Sequence, residues 1–244
     1  MIFSFLVPKS IKIAFREIMR KRYGYKNGSY QNNYREFYGL FLEKRKEAEK
    51  VIPKVDLDFK HIENLVVLKN RIELLKRLPQ NAVCSEVGVN EGEFSEQILH
   101  IIKPKKLHLI DAWGDVTRYH DGLKLKVAEK FALNIESQQI EINVGLSTDV
   151  LKTFPDNYFD WVYLDTDHTY KTTASELNIL KNKVKIDGII AGHDYIIGNW
   201  MGDCRYGVIE AVNELCVNDN WEIVYITINK NEMPSFAMRR IQNR

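Results

Sequence analysis

The chain has little cysteine, and what it has forms no pattern. Cys84, Cys204 and Cys216 are odd in number, widely spaced and include no Cys-x-x-Cys. That gives neither a disulfide framework nor a zinc site, and it fits a reducing cytosol. Long apolar runs are also missing. Met1 to Val7 is apolar, but Pro8 and Lys9 follow at once, so the run is too short for a bilayer span and lacks the cleavage site of a secretory signal. A cytoplasmic location is expected. Charge of one sign is not in excess: 35 Lys+Arg against 33 Asp+Glu leave a formal net charge of +2. Nucleic-acid-binding domains are usually far more basic, so no nucleic-acid partner is expected. The Gly-x-Gly-x-x-Gly of a dinucleotide fold and the Gly-Lys-Ser/Thr of a P-loop are absent as well. No internal repeat or low-complexity tract is present.

What remains is ordinary in bulk and specific in detail. A chain of 244 residues, 45% hydrophobic and 28% charged, can build one domain of ample core with or without an appendage. The organising stretch is Ala82 to Phe94. Ala82 to Val87 predicts a buried strand and Gly88 to Gly92 a turn; Phe94, Ile98 and Ile101 begin a helical apolar face that Pro104 ends. A strand, a glycine turn and a helix form the ligand-binding corner of an α/β fold. Gly88 and Gly92 stand among acids, which repel a pyrophosphate and suit a positively charged ligand. S-adenosylmethionine, with its ammonium and sulfonium, is such a ligand.

Residues 1–80 differ from the rest and predict a helical extension: a cap, a lid or an oligomer contact. Pro8 to Arg22 reads as a basic amphipathic helix carrying Lys9, Lys12, Arg16, Arg20, Lys21 and Arg22, with Ile11, Phe15 and Met19 four apart. A solvated basic face is the plainer account, and a peripheral contact with anionic lipid is the sharper one. A second helix is expected over Asn32 to Lys50 and a third over Ile62 to Leu78. Residues 81–244 then alternate strand and helix patterns. Strands are expected at Leu107–Asp111, Ile140–Val144, Phe159–Asp165 and Ile189–Asp194, with helices at His120–Ser137 and Ala174–Val184. Trp221–Thr227 and Ser235–Arg239 are joined by a turn with no room for a crossover helix and must pair antiparallel. The fold class is therefore α/β, a Rossmann-like and mostly parallel sheet with an antiparallel terminal hairpin.

In such sheets ligands sit beyond the carboxyl ends of the strands. Those ends carry Glu86 and Gly88, Asp111, Gly145 with Ser147, Asp165 with Asp167 and His168, and His193 with Asp194. A purely structural sheet has no need for such a series. Asp111, about 20 residues beyond the glycine turn, stands where an acid binds the ribose of an adenosine ligand. Asp165 and Asp194 close neighbouring strands and can share a hard cation such as magnesium. His168 can take a proton from a hydroxyl, and His193 is a second candidate base. Asp167 reads as a helix cap. Tyr195 to Gly207, with Trp200 and Met201, reads as a loop walling a substrate pocket.

Taken together, four stretches resemble the class I S-adenosylmethionine-dependent methyltransferases, and more narrowly the bacterial macrocin-type sugar O-methyltransferase branch. They are Glu86–Ser95, Leu109–Trp113, Phe159–Tyr170 and Gly188–Tyr195. The resemblance implies a seven-stranded sheet with an inverted last hairpin. It implies a cofactor site of Glu86, Gly88, Asn90, Gly92, Phe94, Asp111, Ala112, Ser147 and Asp165, with Glu86 and Gly88 beside the methionine moiety and Asp111 on the ribose. Metal-dependent relatives often carry two adjacent acids where this chain has His193-Asp194. The expected activity is methyl transfer from S-adenosylmethionine to an oxygen of a sugar or glycan, with magnesium as a second cofactor and a homo-oligomer as one form of assembly. A nitrogen or phenolic acceptor without metal, and a non-catalytic adenosine-ligand binder, remain open as alternatives.

Overall fold

A computed structural model describes residues 46, 49–113, 122–199 and 204–242. The expected helices Pro8 to Arg22 and Asn32 to Lys50 lie outside these residues, apart from Lys46, Glu49 and Lys50. So do the start of the expected helix at His120 and the loop residues Trp200, Met201 and Gly202. The chain divides into two compact units, Met1–Val51 and Ile52–Arg244. Only the second is described at length, and it begins well before residue 81.

Its frame is a sheet of eight strands: β1 (Val66–Leu68), β2 (Val83–Val87), β3 (Lys106–Asp111), β4 (Ile140–Val144), β5 (Phe159–Leu164), β6 (Val184–Gly192), β9 (Trp221–Thr227) and β10 (Phe236–Arg240), with the short pair β7 (Gly198–Asn199) and β8 (Cys204–Arg205) outside it. The order across the sheet is β1-β9-β10-β6-β5-β2-β3-β4. β6, β5, β2, β3 and β4 run parallel, while β10 pairs antiparallel with both β6 and β9. The inverted terminal hairpin is thus present as the sequence predicts. Strand order reverses between β2 and β5, the switch point at which α/β sheets bind ligands.

Alternation along the strands feeds two apolar layers. Cys84, Leu107, Leu109, Trp161 and Tyr163 face Phe94, Ile98 and Ile102 of the helix Glu93–Ile102. Val87, Ile110, Val162 and Leu164 face Leu177 and Leu180 of the helix Tyr170–Lys183, together with Val212 and Leu215 of the helix Val208–Asp219. Consecutive strand residues point to opposite faces, so Trp161 and Val162 belong to different layers.

Three expectations need correction. Ile62 to Leu78 is not one helix. β-Branched Val66 and Val67 enter β1, which pairs parallel with β9 and adds an eighth strand to the expected seven. Asn70 then starts a short helix, Arg71–Leu75, by accepting the Glu73 N–H at 2.9 Å. The expected helix ending at Ser137 is two, Leu123–Lys130 and Ala132–Glu136, broken at Phe131. The strand expected at Ile189–Asp194 begins at Val184 and ends at Gly192, which leaves His193 and Asp194 beyond its carboxyl end. Among the described residues no helix is long and apolar enough to cross a membrane.

Candidate active site

The glycine turn is built by close approach. Gly88 has φ +92, and a Cβ on it would lie 2.0 Å from the Asp165 carbonyl oxygen. The backbone after β2 therefore touches the backbone after β5, at the switch point. Gly92, with φ +73, precedes the helix Glu93–Ile102, and a Cβ there would meet the Phe131 ring at 2.9 Å. Both positions call for glycine on conformation and space together.

Asp111 fixes this turn from the next strand. Its Oδ2 accepts the N–H of Val89 at 2.7 Å and of Asn90 at 2.9 Å, and its Oδ1 accepts the N–H of Trp113 at 2.9 Å. The Trp113 indole donates to the Asn90 carbonyl at 3.0 Å. A carboxylate has about four acceptor positions, so Asp111 keeps capacity for a ribose hydroxyl while ordering the loop. This second duty was not legible in the sequence. Ala112 lies between Asp111 and Trp113 as β3 ends.

Glu86 is buried at the end of β2 and accepts a hydrogen bond from the Ser95 hydroxyl. Burial pushes its pKa up to about 8, against the opposing effect of Ser95. A cationic ligand group would restore its charge, so the donor set fits the ammonium of S-adenosylmethionine. The Phe94 ring packs at a tilt of 46° against Tyr163, with ring centroids 4.4 Å apart. Ser147 opens the helix Ser147–Thr153.

The densest chemistry lies beyond β5 and β6. His168 Nε2 stands 3.1 Å from Asp194 Oδ2 and 3.9 Å from Asp165 Oδ1. His193 Nδ1 stands 3.2 Å from the same Asp194 oxygen and 3.9 Å from Asp165 Oδ1. Two imidazoles and two carboxylates thus converge. Ligand atoms of Asp165, His168 and Asp194 all lie within 4.8 Å of one another, an arrangement that fits a divalent cation. His168 and Asp194 both adopt positive φ, +60 and +57. Such strain in residues other than glycine is characteristic of functional sites.

Electrostatics follow the geometry. Burial raises the Asp165 pKa in spite of the two histidines. At Asp194 burial acts upward too, but the His193 hydrogen bond and the charge of His168 prevail and hold its pKa below the usual value. For His193, burial favours the neutral ring, yet the bond to Asp194 and the nearby carboxylates outweigh it and raise the pKa. Its Nε2 is buried with no hydrogen-bond partner. The helix cap expected at Asp167 is instead Thr169, whose hydroxyl accepts the Thr172 N–H at 3.3 Å; Asp167 braces it, with Oδ1 taking the Thr169 N–H at 2.9 Å and Oδ2 the Thr172 hydroxyl at 2.8 Å. The loop expected to wall the pocket does reach His168, whose ring lies 4.9 Å from Tyr206 and whose carbonyl accepts the Gly207 N–H at 2.8 Å.

One participant was missed. The charge of Arg71, on the short helix before β2, bears on Glu86, Asp165, His193 and Asp194 alike. Nothing in its local sequence marked it, because the expected long helix placed it on a generic polar face.

Comparison with known proteins agrees with this geometry. Residues 85–195 match the family described as "Methyltransferase domain". The fold is similar to that of a putative rRNA methylase from Clostridium thermocellum, with TM-score 0.54, 14% identity, and coverage of 73% of this chain and 100% of that one. It is similar to the pyocyanin biosynthetic protein PhzM at TM-score 0.53 and 14% identity, covering 70% of this chain but only 54% of that one. The Bacillus subtilis tRNA methyltransferase TrmK gives TM-score 0.50 and 12% identity, covering 72% and 67%. At these identities the likeness is one of fold. Among curated proteins none matches the sequence. Residues 85–195 are thus similar in sequence to a methyltransferase domain, and the sheet they contribute to has a fold shared with solved methyltransferase structures.

Proposed function

We propose that the protein transfers a methyl group from S-adenosylmethionine to a hydroxyl oxygen, with a sugar or glycan as acceptor. The observation that carries an oxygen acceptor is the His168–Asp194 pair at 3.1 Å beside the cofactor corner. A hydroxyl is a weak nucleophile until its proton is taken, and an imidazole oriented by a carboxylate is suited to take it. With Nε2 turned to Asp194, His168 has Nδ1 as the proton acceptor. His193 is the weaker candidate, because its Nε2 is buried and its Nδ1 faces Asp194. The resemblance to the macrocin-type branch supports the sugar acceptor.

S-adenosylmethionine, when bound, supplies an electrophilic methyl group whose sulfur leaves as a thioether. The chain holds and aligns. Glu86 takes the ammonium, Asp111 the ribose, and the backbone at Gly88 permits close approach. His168 would take the proton of the acceptor hydroxyl as that oxygen receives the methyl group, with the thioether as leaving group. Most of the acceleration comes from proximity and orientation.

The three convergent ligand atoms support a second reading, in which Asp165, Asp194 and His168 together hold a divalent cation. Such an ion would lower the pKa of an acceptor hydroxyl. The His168 nitrogen suits iron or zinc better than magnesium, which prefers an all-oxygen set. The two readings differ over His168, as base or as ligand.

Methyl transfer to candidate sugar acceptors, measured with and without chelator, separates them. In the base reading, His168→Ala lowers turnover by roughly 100-fold or more, leaves cofactor affinity nearly unchanged, and chelator has no effect. In the metal reading, chelator abolishes turnover and an added divalent ion restores it. Full activity of both His168→Ala and His193→Ala would remove the general base. Tight binding of a nicotinamide cofactor in place of S-adenosylmethionine would overturn the whole assignment.

A further inference from the structure

Arg71 lies outside the stretch that matches the methyltransferase family, yet it stands over the cofactor corner. Its guanidinium carbon is 4.6 Å from the centroid of the Phe94 ring, in the first turn of the helix after the glycine turn. Its charge also bears on Tyr163, near the end of β5. Glu232, in the turn between β9 and β10, accepts the Arg71 backbone N–H at 3.0 Å and approaches Nε at 3.7 Å. The side chain is therefore held in place before any ligand arrives, which lowers the entropy lost on binding.

Its surroundings are acidic. Glu86, Asp165 and Asp194 all feel its charge. Those carboxyl groups can attract the ammonium and sulfonium of S-adenosylmethionine, but they repel the carboxylate at the same end of the ligand. A zwitterionic end placed among acids needs one fixed cation. A guanidinium offers five N–H donors in a planar fork that matches a carboxylate, and its contact with Glu232 engages only the Nε side of that fork.

We propose that Arg71 binds the carboxylate of the methionine moiety, so that the zwitterionic end of S-adenosylmethionine is held between this guanidinium and Glu86. The proposal rests on the cofactor reading above. It assigns to the added strand β1 and its following helix the task of delivering that cation to the site.

Calorimetry of the full chain with S-adenosylmethionine and with its decarboxylated analogue tests it. The wild type should prefer the carboxylated ligand by about tenfold or more. Arg71→Ala should weaken S-adenosylmethionine binding by roughly 10- to 100-fold. The decarboxylated analogue should bind that variant as well as before or better, since a repelling cation has gone. Arg71→Lys keeps charge without the fork and should show a reduced preference, which also covers the case in which the alanine variant does not fold. Equal weakening of both ligands, or no change in either, would leave Arg71 as a tie for the β9–β10 turn and overturn the proposal. A wild type that binds neither ligand would overturn the cofactor reading itself.

Discussion

At the scale of single residues, the site is made by groups held in unfavourable backbone conformations. Gly88 and Gly92 adopt positive φ, and so do Asn90, His168 and Asp194. For His168 and Asp194 the cost is of order 1–3 kcal/mol each, and it places their side chains within hydrogen-bond reach of each other. Gly88→Ala should be more severe than its size suggests, because the added methyl would lie 2.0 Å from the Asp165 carbonyl oxygen at φ +92. A loss of more than about 2 kcal/mol is expected, visible as a lower melting temperature, with S-adenosylmethionine binding lost. Unchanged melting would mean that the two backbones can separate freely. Asp111→Ala should lower stability as well as cofactor affinity, since three backbone N–H groups lose their acceptor. Affinity lost at constant stability would show that only the ribose contact matters. Asp111 was legible as an acid at a strand end. Its backbone partners were not, because they depend on how the loop folds back.

At the scale of elements, the helix Tyr170–Lys183 carries a buried acid that the chemistry does not use. Glu176 accepts from the Thr166 hydroxyl at 3.1 Å, tying this helix to the segment after β5. Burial pushes its pKa from 4.5 up to about 7, overcoming the opposing effect of the neighbouring hydroxyls. The folded state thus holds this proton more tightly than the unfolded chain does. Its contribution is fully present below about pH 4.5 and is lost as pH rises to about 7, a change of about 3 kcal/mol at most. Glu176→Gln cannot ionise, so denaturant unfolding of that variant should decline less between pH 5 and pH 8 than the wild type does. Parallel profiles would show that the carboxyl ionises at no cost, through access to water. The element read least well was Ile62 to Leu78. Its apolar spacing satisfied a helical period, but pairing with β9 drew Val66 and Val67 into a strand. A short apolar run cannot tell the two apart until its neighbour is known.

At the scale of the whole molecule, the strand order brings residues more than 100 positions apart in the chain to one edge, from Arg71 to Asp194. The basic segment Pro8 to Arg22 lies outside the described residues, and its part is tested in solution. The plainer account predicts that neither the intact chain nor one lacking residues 1–30 sediments with anionic vesicles. Salt-sensitive sedimentation of the intact chain alone would instead show a lipid-facing surface.

The sequence by itself determined the α/β alternation, the glycine corner, the antiparallel ending and the series of polar residues at strand ends. Each of these rests on local periodicity, on turn chemistry or on a motif a few residues long. Only the tertiary structure decided that β1 joins the sheet and that Asp111 ties down its own loop. It alone brought Arg71 over Phe94 and set both histidines on one carboxylate. Those contacts form between segments distant in the chain, and their partners are chosen by strand order and close packing, which no local pattern encodes.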